Sequence, residues 1–346
     1  MSRVSDLEIS ETSLGPLAWL TLRGPRRQVF RHLGETFGDV ITAFLAGASE
    51  RKRATRMRKS PHLATVLETT RRMFPGPVSE LEAMAEGADV PANELLWLNI
   101  RGDLGYENNG CSDLGLRSQT RLLLVHNEDA DPVHEGDCPL LTLHIDGDLP
   151  VTTYWYPGMM ATMTFWLNGS GIACGIDHIP VANPGAGVGR QFLARRLAGA
   201  TSLAEFVDWA GQVPVAGGYT YMVGSAQERQ LLTVEVGPSG ISAGAVAHRY
   251  AHTNHFLALT EQQVIDEQSL PRLEKLNSLD EPSNRDEALR AFSDPAMGIW
   301  RDATGGDPLL TLCSALFDFD HRVVMLHPRG ATEDHRLSFE EFIPSL

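Results

Sequence analysis

An α+β chain with mainly antiparallel sheets is the class this sequence predicts, on two observations. Apolar residues recur at helical spacing through most of the first 110 positions, and from residue 111 onward short β-rich runs follow one another with tight turns between them. Strands joined in that way make a meander, in contrast to the strand-helix-strand alternation of a parallel sheet.

Leu17 to Leu22 is the first apolar run that reads as a strand, and Gly24-Pro25-Arg26 turns the chain after it. Val29, Phe30, Leu33, Phe37, Val40, Ile41, Phe44 and Leu45 then fall on one face of a helix. A second helical pattern runs from Pro61 through Leu63, Val66, Leu67 and Met73 until Pro75 and Pro77 break it. Another helix starts at Ser79, and Asn93 to Asn99 gives a further short one. These helices need the following sheet as cover, so residues 1–110 are expected to pack on a main body of residues 111–346, not to fold as a free domain.

Ser112 to Arg117, Arg121 to Asn127, Leu140 to Ile145 and Val151 to Tyr156 predict strands, with Asp146-Gly147-Asp148 turning between the last two. Met163 to Leu167 continues the meander, Asn168-Gly169 turns it, and Ile172 to Ile176 returns. Gly185, Gly187 and Gly189 have the spacing of a dinucleotide-binding turn, but the loop from Pro180 to Pro184 stands where a strand would have to lead in. We read them as the approach to a helix from Phe192 to Leu197. A second helix follows from Ser202, with a Ser or Thr cap, through Leu203, Phe206, Val207 and Trp209. Strands are expected over Tyr219 to Val223, Gln230 to Val236 and Ile241 to Val246. Polar outer helices follow at Ser269 to Leu279 and Arg285 to Phe292, and a hairpin of Leu309 to Phe317 with Arg322 to Leu326 closes the sheet.

Composition narrows the function. The formal net charge of -15 argues against binding a phosphate backbone, so no nucleic-acid partner is expected. The basic group Arg51-Lys52-Arg53 with Arg56, Arg58 and Lys59 reads as a solvated helix or loop. The N-terminus lacks the apolar core of a secretory signal, and no window approaches the roughly eighteen apolar residues of a membrane span. A cytoplasmic protein with no membrane partner is the expectation. Cys111, Cys138, Cys174 and Cys313 are widely spaced without a C-x-x-C unit, which indicates neither a disulfide framework nor structural zinc. Thiols that stay reduced suit a cysteine nucleophile.

Tyr106-Glu107-Asn108-Asn109-Gly110-Cys111-Ser112-Asp113 is a polar turn that delivers one cysteine to the root of a strand. A lone cysteine is ordinarily a small buried hydrophobe; the neighbours of this one argue for a nucleophile. Gly110 has no side chain, so the carbonyl before Cys111 is open to the adjacent thiol, and an N-to-S acyl shift there would cut the chain. Cys111 would then carry a free α-amine whose ordinary pKa of roughly 7.7–8.0 lets it accept the thiol proton. His126-Asn127-Glu128-Asp129 closes the next apolar run. Further on, His252-Thr253-Asn254-His255-Phe256 sets an amide, which can stabilise an oxyanion, between two imidazoles.

The asparagine-glycine-cysteine junction, the Asn127-Glu128-Asp129 segment and the His252-Thr253-Asn254-His255-Phe256 segment together resemble the C45 peptidase family. This is the acyl-coenzyme A:6-aminopenicillanic acid acyltransferase group of N-terminal-nucleophile hydrolases. The likeness runs from Gly24-Pro25-Arg26 to the strand pair near residues 310–326. It implies a four-layer αββα fold and a proenzyme that cleaves itself between Gly110 and Cys111. The products would be a small and a large chain that stay together, reacting on amide or thioester bonds. By motif it implies Cys111 as nucleophile, Asp129 as the acid that orients the amino-terminal cysteine, and Asn254 as the oxyanion-hole amide. Two segments depart from the family pattern. Val125-His126-Asn127-Glu128-Asp129-Ala130 lacks the glycine before the Asn and the tryptophan after the Asp, and Gly175-Ile176-Asp177-His178 lacks a glycine-asparagine pair.

Tyr154, Trp155, Tyr156, Phe165 and Trp166 are candidates both for lining an acyl or aromatic pocket and for cross-strand core pairs. His126, His252 and His255 are expected to shape the same pocket. His248, His252 and His255 are spaced like helix-borne metal ligands, but strand or loop context and the lack of a nearby carboxylate argue against a metal, and no cofactor is expected. Cys313 reads as buried filling and Ser314 as a hydrogen-bonding neighbour of the site.

The function expected is therefore amide hydrolysis or acyl transfer on a small-molecule or short-peptide substrate. Hydrolysis is preferred because no separate coenzyme A site can be read. Two rivals remain: a non-catalytic binding or scaffold protein on the same fold, and a cysteine peptidase whose Cys-His pair works without self-cleavage. The second requires a histidine to approach Cys111 in space. Association into a homodimer is left open.

Overall fold

A computed structural model describes residues 6–47, 58–104, 110–260 and 263–345. The expected turn at Tyr106 to Asn109 and the basic residues Arg51, Lys52, Arg53 and Arg56 lie outside the described residues.

The chain opens with a hairpin, β1 (Glu8–Leu14) and β2 (Leu17–Gly24), and continues into α1 (Arg26–Ala46). β1 was not legible: Glu8, Ser10, Glu11, Thr12 and Ser13 give it no apolar face, and it lies largely exposed at the edge of its sheet. Next come α2 (Pro61–Met73), α3 (Pro75–Gly87) and α4 (Ala92–Leu98). Pro75 does not delay α3 to Ser79, because a proline fits the first helical turn, where its missing N–H has no partner to lose. The bidentate ion pair of Arg195 with Glu80, at 2.9 Å from both nitrogens, ties α3 to a later helix inside the layer.

β3 (Gly110–Arg117) and β4 (Leu122–Ala130) form one hairpin, and β5 (Leu140–Ile145), β6 (Val151–Tyr154), β7 (Trp166–Asn168) and β8 (Ile172–Ile179) follow. Then come α5 (Arg190–Leu197), α6 (Leu203–Gly211, capped by Ser202), β9 (Gly218–Ser225), β10 (Gln230–Gly237), β11 (Gly240–Ala245) and β12 (Arg249–His252). The chain ends with α7 (Ser269–Ser278), α8 (Arg285–Ser293), β13 (Leu310–Asp318), β14 (Val323–Pro328), β15 (His335–Ser338) and a single turn, α9 (Phe339–Phe342).

The expected single meander is in fact divided between two sheets. The order β1-β2-β5-β6-β7-β8-β9-β10-β11 makes one, and β12-β3-β4-β13-β14-β15 the other. Pairing is antiparallel except that β2 runs parallel to β5, which places the amino-terminal hairpin in the larger sheet. The two sheets stack face to face, with Phe165, just before β7, 6.2 Å from Phe317 of β13. Helices α1 to α6 form the layer outside the larger sheet, with α1 on β2 and α6 on β9, β10 and β11. α7 and α8 cover the smaller, where Leu276, Leu289 and Phe292 pack on Leu114, Val125 and Leu316. Full burial of a side chain such as Phe292 contributes about 1.5–3 kcal/mol, and this second core is what holds α8 in place. The four-layer αββα architecture is thus as expected.

β4 is buried along its whole length because it has a sheet on one side and helices on the other. Among the described residues, no helix is long and apolar enough to cross a membrane.

Candidate active site

Side chains alternate across a strand, so the β3–β4 pair offers two faces around Cys111. In the register Cys111 stands opposite Glu128 and Asp113 opposite His126, all toward the other sheet, while Gly110 stands opposite Asp129 and Ser112 opposite Asn127, toward α7 and α8.

On the inter-sheet face both ring nitrogens of His126 meet carboxylates, Nδ1 at 2.8 Å from Asp113 Oδ1 and Nε2 at 3.2 Å from Glu128 Oε2. Tyr156 donates its hydroxyl to Glu128 Oε1 at 2.7 Å. Cys111 Sγ, an imidazole nitrogen of His126 and a carboxylate oxygen of Glu128 all lie within 4.8 Å of one another, and the three residues are buried. Burial, joined by the Glu128 charge, pushes the Cys111 thiol far above its ordinary range, against the pull of a hydrogen bond with His126. Burial by itself would lower His126, but the Asp113 carboxylate overrides it and holds the ring in its charged form. Burial likewise raises Glu128. The facing sheet can come this close because residue 175 is glycine: a Cβ there would stand 2.4 Å from Asp113 Oδ1 and 2.9 Å from His126 Nδ1. Next to this group His252 Nδ1 lies 2.5 Å from Asp177 Oδ2, and burial together with the Asp113 charge lifts Asp177 to about 6.

The helix-facing side surrounds the Gly110–Cys111 peptide. Cys111 N–H donates to Asn254 Oδ1 at 3.2 Å, and Arg272 donates to that same oxygen, to Cys111 O and to Ser112 Oγ, each at 2.6 Å. Asn254 Nδ2 donates to His178 O at 3.0 Å. Asp129 accepts from Thr311 Oγ1 at 2.6 Å, and its other oxygen lies 3.5 Å from Arg301 and 3.7 Å from Arg272. Burial raises the Asp129 carboxyl and the two guanidinium groups oppose it. Arg301 also explains Gly110, since a Cβ at that position would fall 1.9 Å from its Nη1.

The structure thus places Cys111, Asp129 and Asn254 along one short polar path, with Asn254 touching the Cys111 backbone directly. Arg272 and Arg301 were missed by sequence reasoning: each is an ordinary arginine in a polar stretch, and only the fold turns it inward. Glu128 and Asp113 lie beside the residues that carry the resemblance, which implied no role for either.

The proposed pocket residues divide. Trp155 packs on Phe37 of α1 and Trp166 near Phe206 of α6, so both face the outer helices on the far side of the sheet from Cys111, and they do not line its surroundings. Both are wholly buried in the core beneath the helices. Phe165 and Tyr154 stack between the sheets, and Phe165 lies 5.8 Å from the His126 ring. His255 bonds Ser269 Oγ at 2.8 Å, as does the Asn254 N–H at 2.9 Å, so it braces the Asn254 loop. His248 is exposed and pairs with Glu281, and with His252 turned to Asp177 the three histidines do not converge.

Residues 116–328 match the family described as acyl-coenzyme A:6-aminopenicillanic acid acyl-transferase. The matched stretch contains His126, Glu128, Asp129, Asn254, Arg272 and Arg301; it begins after Cys111 and does not extend back to the expected start near Gly24. No curated protein sequence matches the chain. Solved structures with a similar chain path include two altered forms of conjugated bile acid hydrolase from Clostridium perfringens, each bearing one substitution. They are 10% and 11% identical to this chain, with TM-scores of 0.42 and 0.43, each match covering 68% of this chain and 95% of theirs. Penicillin V acylase from Agrobacterium tumefaciens is 10% identical with a TM-score of 0.41, the match covering 66% of this chain and 86% of that one. The family match spans more than half of the sequence and includes Asp129, Arg272 and Arg301 beside the Gly110–Cys111 peptide, and on that ground the chain belongs to the acyl-coenzyme A:6-aminopenicillanic acid acyltransferase family of N-terminal-nucleophile hydrolases.

Proposed function

We propose that this chain is the precursor of a cysteine amidohydrolase or acyltransferase that cuts itself between Gly110 and Cys111. The mature enzyme would act on an amide or thioester of a small molecule or short peptide. The observation that carries this reading is the polar ring around that one peptide bond: Asn254 on its N–H side, Asp129 across from Gly110, and two arginines beside both. A bond of no chemical use would not need such a surround.

In processing, Cys111 Sγ attacks the Gly110 carbonyl carbon, the amide nitrogen leaves as the new α-amine, and water hydrolyses the thioester. The freed amine then lies between Asn254 Oδ1 and Asp129. Asp129 favours its charged form, while Arg272 and Arg301 favour the neutral form, which can act as a base. In turnover the amine takes the Cys111 proton and the thiolate attacks the acyl carbon. The oxyanion faces the Asn254 amide and a backbone N–H. Collapse expels an amine or thiol, and the acyl-cysteine passes to water or to an acceptor amine; we favour water. Residues 1–110 would stay attached, since β2 pairs with β5 across the cut.

One observation favours a second reading. His126 does approach Cys111, with Asp113 on its other nitrogen, which is the geometry a thiolate–imidazolium pair needs without any cleavage. Intact mass separates the two. Self-processing gives fragments ending at Gly110 and beginning at Cys111, and none from Cys111→Ala. A chain that stays whole, turns over substrate and loses activity with His126→Ala establishes the second reading instead. A whole chain with no turnover, in which a thiol reagent labels Cys111 no faster than Cys138, Cys174 and Cys313, is a binding protein.

A further inference from the structure

Cys111 and the two groups that crowd its thiol also have the spacing of metal ligands. His126 Nε2 and Glu128 Oε2 are 3.2 Å apart. Two such atoms, each about 2.0–2.1 Å from a tetrahedral zinc ion, stand roughly 3.3 Å from each other, and a thiolate at about 2.3 Å stands roughly 3.6 Å from either. Cys111 Sγ, an imidazole nitrogen of His126 and a carboxylate oxygen of Glu128 lie within 4.8 Å of one another, and all three residues are buried.

The supporting groups are already in position. Asp113 takes the Nδ1 hydrogen of His126 at 2.8 Å, which turns Nε2 toward the cluster. Tyr156 occupies Glu128 Oε1 at 2.7 Å and leaves Oε2 to ligate. A carboxylate behind a ligating histidine and a hydrogen bond on a ligating carboxylate are the usual outer supports of such an ion. A thiolate with an imidazole and one carboxylate selects zinc or cobalt over magnesium or calcium, which want oxygen alone.

We infer that Cys111, His126 and Glu128 form a three-ligand site for a thiophilic divalent cation, with zinc the best fit, and that filling it takes the Cys111 thiol out of service. The inhibitory half rests on the proposed function; the binding half does not. Coordination displaces the Sγ proton and the Nε2 proton to solvent, and thiolate and carboxylate together match the charge of the ion. The fourth position is left to water.

The test is titration of Zn2+ into reduced, metal-stripped full chain, read by calorimetry, and of Co2+, read by thiolate-to-cobalt absorption in the near ultraviolet. One equivalent binds, and the absorption is lost in Cys111→Ser. Stoichiometric binding is lost in His126→Ala and Glu128→Gln, while Asp113→Asn and Tyr156→Phe weaken it roughly 10–100-fold. Cys174→Ala and Cys313→Ala retain it, and zinc slows alkylation of Cys111 in proportion to occupancy. The inference is overturned if the parent binds zinc no better than Cys111→Ser, or if Glu128→Gln binds like the parent. Tyr156→Phe deletes a single hydroxyl and decides the matter where His126→Ala does not fold. Because binding is read without substrate, a chain that binds zinc but shows no turnover in its metal-free form defeats the proposed function alone, and a chain that turns over substrate but binds no zinc defeats this inference alone.

Discussion

The two faces of the β3–β4 pair carry opposite electrostatics within one residue of each other. Toward the other sheet, Cys111 Sγ sits with Glu128, Asp113 and Asp177, an acidic layer in which only His126 and His252, among the described residues, supply positive charge. Toward the helices, the Cys111 backbone sits with one carboxylate, Asp129, and two arginines. Burial, joined by the acidic face, keeps the thiol protonated, and the basic face would keep the α-amine of the proposed mature Cys111 from holding its proton too firmly. Sulfur and backbone nitrogen of one residue thus face different surroundings, which a strand achieves simply by alternating.

The largest test of that division is Cys111→Ala, for which intact mass should show only the uncut chain and activity should vanish. On the helix-facing side, Asn254→Ala should fold yet slow turnover by about 10²–10³, as expected of a lost oxyanion donor; an unchanged rate removes Asn254 from the role. Gly175→Ala drives a methyl group against Asp113 and His126 and should destabilise the protein by about 1–3 kcal/mol, read from the denaturation midpoint. A neutral result there would mean that the sheets are not held at this spacing by the acidic layer.

A last test concerns pH. Asp177 titrates at about 6 in the folded protein, raised from 3.8, so the folded state binds that proton more tightly than the unfolded chain does. Its contribution is fully present below the unfolded value and is lost as pH rises through the folded one. Stability of the parent should therefore fall between roughly pH 4 and pH 6 relative to Asp177→Asn, and parallel midpoint curves for the two would show that Asp177 is not perturbed.

Much of this molecule is written locally. The apolar stripe of α1, the Ser202 cap of α6 and the β13–β14 hairpin follow from spacings of two to four residues, which sequence displays directly. The same holds for the glycine-cysteine junction and the family it points to. β1 escaped because an edge strand needs no buried face, and α3 because its prolines were read as breakers.

What the fold alone decided is which strands share a sheet and which side chains meet. β3 and β4 read like the next two steps of a meander with β5, yet they join β13, nearly two hundred residues on. Arg272 reaches the Cys111 carbonyl across 161 positions, and Asp113, His126 and Glu128, brought together by the β3–β4 register, are closed over by the second sheet because Gly175 leaves room for them. Periodicity reports which face of an element is apolar; it carries no address for the partner. The charges that act on Cys111 come from such partners, so the sequence singled out the cysteine and only the tertiary structure set its protonation.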